Sequence, residues 1–96
     1  MSKRDAYKLK IEAEIELAQA KLSELKAKAK SSVADARIQY ARIVEDLEDR
    51  LDGTKSKLKD LGDASEDAWE SLKDGVESAW SDLSKAVHKA SAKLKD

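Results

Sequence analysis

For the first 52 residues the chain contains neither glycine nor proline, and apolar side chains recur through that stretch at helical spacing. Ile11, Ile15, Ala18, Leu22, Leu25 and Ala29 step alternately by four and by three, which puts them on one stripe of an α-helix and marks a heptad seam. No proline occurs anywhere in the 96 residues, so nothing deprives a helix of a backbone donor. Alanine, glutamate, lysine, leucine and arginine supply 54 of the 96 residues, above the roughly half that marks coiled coils and long helices. The β-branched and aromatic residues that strands need are scarce. The expected fold class is therefore all-α.

A second seam follows the first out of step. Val33, Ala36, Tyr40, Ile43, Leu47, Thr54 and Leu61 continue the pattern, but Ala29 and Val33 stand four apart where a heptad expects three. Such a stutter unwinds a left-handed supercoil locally. It falls in Lys26–Ser32, a stretch of good helix formers without a glycine, which favours an uninterrupted helix over a new one capped by Ser32 with Asp35 at its third position. Leu25, Ala36, Leu47, Leu58, Trp69 and Trp80 stand eleven apart, and eleven residues are close to three turns, so this seam predicts a nearly straight path. Asp52-Gly53-Thr54 lies within the apolar phase and reads as helix.

Gly62 is different. It suits the left-handed position just past a helix, while Ser65 with Glu66 and Asp67 behind it reads as an N-cap. The sequence thus predicts a long helix over about 4–61, a bend at 62–65 and a shorter helix over about 65–94, a hairpin assembling into an oligomeric bundle. A single continuous helix and a three-helix bundle turning at 31–32 are the alternatives. In the hairpin, the shorter helix covers only about half of a first helix roughly 80 Å long. The stripe from Ile11 to Leu25 would be left in water, and an uncovered patch of that size favours self-association. The expected seam comprises Ile11, Ile15, Leu22, Leu25, Val33, Tyr40, Leu47, Leu51, Leu58, Leu61, Trp69, Leu72, Val76, Trp80, Leu83 and Val87.

Charge narrows the partners. Nineteen basic residues face twenty acidic ones, without the basic excess expected of a chain that neutralises phosphates. Residues 1–30 are net +3 and residues 63–96 net −3, with seven acids between Asp63 and Asp82 and then Lys85, Lys89, Lys93 and Lys95. Acids early and lysines late complement the dipole of one helix. A homo-oligomer, from a dimer up to a filament, is the expected assembly. A membrane surface, reached through Trp69 and Trp80, is the less favoured partner, and nucleic acid, reached through Lys21, Lys26, Lys28 and Lys30, is disfavoured. No window is apolar enough to span a bilayer and no apolar signal core follows Met1, so a cytoplasmic location is expected.

Chemistry-bearing constellations are missing. There is no cysteine, His88 is the only histidine, and Gly53, Gly62 and Gly75 are too dispersed for a phosphate loop. Carboxylate pairs such as Glu45-Asp46 and Glu48-Asp49 have no pocket to raise a pKa in a thin helical assembly. No enzyme, metal or cofactor is expected. Met1–Tyr7, Ala34–Tyr40 and above all the double-tryptophan stretch Ala64–Trp80 resemble short coiled-coil proteins of cyanobacteria and proteobacteria usually labelled stress-response. The resemblance spans nearly the whole chain and implies a small helical bacterial protein, with no catalytic residues to transfer.

Overall fold

The computed structural model describes residues 2–94; Met1 and Lys95, which enter the readings above, lie outside them. Three helices account for nearly all of these residues: α1 (Lys3–Ser31), α2 (Ala34–Gly62) and α3 (Glu66–Lys93). They fold up, down and up into a bundle of 50 × 20 × 17 Å. The all-α expectation holds, and the helix count is three.

The expected continuous helix over 4–61 is broken at Ser32-Val33. Both residues are extended, with φ/ψ of −77°/165° and −64°/154°, and none of the described residues takes a positive φ. That is why no glycine announces the turn: a β-branched residue adopts this backbone without strain. Ser32 ends α1 rather than starting α2. Its hydroxyl donates to the Ala29 carbonyl at 2.6 Å, while Val33 occupies the N-cap of α2 with no side-chain hydrogen bond.

Magnitudes explain why the chain folds back here. A helix interruption forfeits a few backbone hydrogen bonds, each worth about 1 kcal/mol net. Folding back buries Ile11, Ile15, Ala18, Leu22, Leu25 and Ala29 of α1 against Val44, Leu47, Leu51, Leu58 and Leu61 of α2. Each fully buried large aliphatic side chain among them contributes about 1.5–3 kcal/mol. Burial wins. The premise that left the Ile11–Leu25 stripe in water is thereby overturned, because the chain covers that stripe itself.

The second turn lies at 62–65 as the sequence predicts, by a different device. Gly62 is the last residue of α2 and not a left-handed cap, and Asp63 (φ −95°, ψ 1°) tightens the end through its N–H to the Lys59, Asp60 and Leu61 carbonyls. Ser65 caps α3 by accepting from the Ala68 N–H, with Glu66 and Asp67 in the first turn. Two steps of the eleven-residue series, Leu25 to Ala36 and Leu58 to Trp69, cross these turns, so it does not trace one straight seam. Gly53 sits inside α2, and Thr54 is buried with its hydroxyl donating to the Arg50 carbonyl at 2.8 Å.

The helix α2 lies close against both neighbours, whereas α1 and α3 meet least. Large side chains stand between those two, as described next.

Candidate functional site

Most of the expected seam lies in the interior of one chain. Ile11, Ile15, Leu22, Leu25, Leu47, Leu51, Leu58, Leu61, Val76 and Leu83 are buried in the core. Tyr40, Trp69, Leu72, Trp80 and Val87 pack half-buried on its margin. Val33 departs from the pattern: it is 74% exposed, because it sits in the turn before α2.

The α1–α3 boundary is built from aromatic residues. Near the start of α1, the Tyr7 ring meets Trp69 edge-on at 6.0 Å between centroids. The Arg4 guanidinium lies 4.3 Å from the centroid of the same indole and donates to the Ala64 carbonyl at 2.6 Å, tying α1 to the second turn. On its other side Tyr7 carries the Lys73 ammonium at 5.1 Å and donates its hydroxyl to Glu77 Oε1 at 3.2 Å. Desolvation, then the charge and hydrogen bond of Glu77, with Glu14 and Asp74 adding, push the Tyr7 phenol up to about 12 from 10.0. Folding thus favours neutral Tyr7. Its contribution to stability is complete below pH 10 and is lost as the pH climbs toward about 12. Phenolate absorbance should show one tyrosine ionising late, and Tyr7→Phe should remove that late step and flatten the alkaline fall in stability.

Farther along, the boundary opens. Glu14, Leu17, Ala18 and Lys21 of α1 and Trp80, Val87, His88 and Ser91 of α3 line a groove of about 310 Å³. Ser91 Oγ is the buried side-chain oxygen without a hydrogen-bond partner among the described residues. His88 is exposed on the rim.

The feature that sequence reasoning missed is a second apolar row on α1. At 3.6 residues per turn, Ala6, Leu9, Ala13, Leu17, Ala20 and Ala27 fall on the side opposite the core stripe, the row being interrupted between Ala20 and Ala27 by Glu24, which pairs with Lys21 and Lys28. All six are exposed, Leu9 by 49% and Leu17 by 72%. Lys3, Lys10, Lys21 and Lys28 border the row on one side, and Asp5, Glu12 and Glu16 on the other. Its signal was present in the sequence: Ala6, Ala13, Ala20 and Ala27 stand exactly one heptad apart, hidden by the stronger seam across the helix.

Surface ion pairs add little. Lys26–Glu48 at 3.3 Å and the Lys55–Gln19 hydrogen bond at 3.1 Å link α1 to α2, and exposed pairs of this kind are worth about 0.2–1 kcal/mol. Among the described residues, no group of three or more histidine, cysteine, aspartate or glutamate side chains is arranged to hold a metal ion. Nor is any helix among them long and apolar enough to cross a membrane.

Compared with protein-family models, with curated proteins and with solved structures, the chain matches none. The surface chemistry of the bundle is therefore what bears on its role.

Proposed function

We propose that the protein is a non-enzymatic helical scaffold or assembly subunit that self-associates through the outer row of α1. The observation that carries this reading is the apolar row Ala6–Leu9–Ala13–Leu17–Ala20–Ala27 left facing water opposite a filled core. Alanines at heptad spacing let a second helix approach closely and in register, and a second copy supplies a helix of that same period. Leucines of one copy then cover alanines of the other, and the lysine and acid borders supply screened, modest attraction. A stress-linked role of the kind carried by the proteins this sequence resembles is compatible with such a scaffold.

Size sets the strength. The helix α1 is about 43 Å long, and a strip some 10 Å wide along it buries about 400 Å² per copy, about half the area of a standard specific interface and the size of a weak, transient one. Association is expected to be reversible and concentration-dependent. Light scattering across a dilution series should show the mass falling toward one chain, with helicity unchanged. Leu17→Glu should hold the protein at one chain at every concentration. A single-chain mass throughout the series, or an assembly indifferent to Leu17→Glu, would overturn the reading.

A further inference from the structure

The fold gathers at one end of the bundle what the sequence scatters. Between Lys26 and Arg42 five basic residues, Lys26, Lys28, Lys30, Arg37 and Arg42, face Asp35 alone. The turn at Ser32-Val33 brings the end of α1 beside the start of α2, so these charges gather at one end of the bundle, where Lys26 pairs with Glu48 at 3.3 Å and Lys28 with Glu24 at 3.6 Å. The last turns of α3 add to them, since Lys89 and Lys93 line one cavity with Arg42, Arg50 and the Asp46 that Arg50 pairs with.

At the centre of this basic tip stand two aliphatic side chains in water, Val33 at 74% exposed and Ile38 at 66%. Beside them Ala29, Ala41 and Val44 floor a cavity of about 270 Å³ rimmed by Lys26, Lys30 and Arg37 together with Glu45 and Glu48, the latter paired with Lys26 at 3.3 Å. Val33 also leaves the N-terminus of α2 without a side-chain cap, so an outside acceptor has backbone N–H groups to meet. The acids Glu66, Asp67 and Glu70 begin at the opposite end of α3, about 40 Å away. At several Debye lengths they are screened from the tip, where the nearby acids Asp35, Glu45 and Glu48 reduce the basic excess without removing it.

We propose that this tip docks end-on against an anionic lipid surface, with Val33 and Ile38 entering the headgroup layer and the ring of lysines and arginines engaging lipid phosphates and carboxylates. The charge explains the preference for an anionic layer, each basic residue near such a surface strengthening binding about fivefold. The two aliphatics decide between polyanions. A nucleic-acid backbone engages the cations and has no place for exposed valine and isoleucine, whereas a bilayer takes both. This surface adjoins the outer row of α1 at Ala27 and Lys28 and does not include Leu17.

The test is co-sedimentation of the full chain with phosphatidylcholine vesicles, with and without phosphatidylserine, and retention on heparin in parallel. Binding should require phosphatidylserine and weaken with salt. Val33→Asp combined with Ile38→Asp should reduce it more than about tenfold, as should Lys28→Glu combined with Lys30→Glu. Val33→Asp alone separates docking from folding, because aspartate is a strong N-cap where valine is a poor one. That variant should melt higher and yet bind vesicles less. Leu17→Glu should leave vesicle binding intact. Absence of phosphatidylserine-dependent binding would overturn the proposal. So would heparin retention stronger than vesicle binding and indifferent to Val33 and Ile38, which would make the tip a general polyanion site.

Discussion

Leu25→Ala is expected to lower stability by about 2–5 kcal/mol, the cost of removing a buried leucine and leaving a partly collapsed cavity. For a chain of this size that corresponds to a fall in Tm of roughly 8–40 °C. Leu25 is wholly inaccessible to solvent, within the core that the three helices share. In a rod, or in a hairpin with α1 and α2 continuous, the same leucine would lie on the uncovered stripe of an isolated chain. Truncating it would then cost within about 0.5 kcal/mol, as for other surface changes. Thermal melts at high dilution separate the two cases. Leu17→Ala is the matched control, the same residue type in the same helix but 72% exposed, and it should change Tm little.

The second large effect runs in the other direction. Gly53 and Gly75 lie inside α2 and α3, neither has a positive φ, and a Cβ added at either meets nothing within 4 Å. Neither glycine serves a turn or a close approach. Each costs its helix about 1 kcal/mol relative to alanine through backbone entropy. Gly53→Ala combined with Gly75→Ala should stabilise the bundle by about 2 kcal/mol, the sites lying in different helices without shared partners. Tm should rise by about 8–16 °C, and denaturant melts should show a higher midpoint with an unchanged slope. A slope change would mean that one of the glycines shapes the unfolded ensemble or a conformation other than the bundle.

Legibility in the sequence followed the strength of local signals. The α1 stripe was readable residue by residue, since Ile11, Ile15, Ala18, Leu22, Leu25 and Ala29 are all buried and share one unbroken spacing. The second turn was readable because Gly62 and Ser65 leave helix-end signals, even though Gly62 does not use its left-handed freedom. The first turn was not. Extended Ser32 and Val33 need no special residue, and the surrounding alanines and lysines suit a helix equally well. What decides there is tertiary burial against α2, which no local window contains. The same missing information misplaced Val33: its spacing fits a seam, but it stands in the turn. Of the proposed surfaces, the cations at 26–30 were visible as a lysine run, but their meeting with Arg37, Arg42 and the end of α3 needed the turn. The row opposite the core on α1 was available from alanine spacing alone.

The ordering of helix contacts has a kinetic side. The helix α2 packs on the element just before it and the element just after it, while the two outer helices touch least. Native pairings are therefore made mostly between chain neighbours, with little loop entropy to surrender before the first contacts form. Topologies of this kind reach the folded state in microseconds to milliseconds. A nascent chain could assemble its first two helices before the third is complete, leaving the tryptophan-bearing helix to arrive last and close the barrel of side chains.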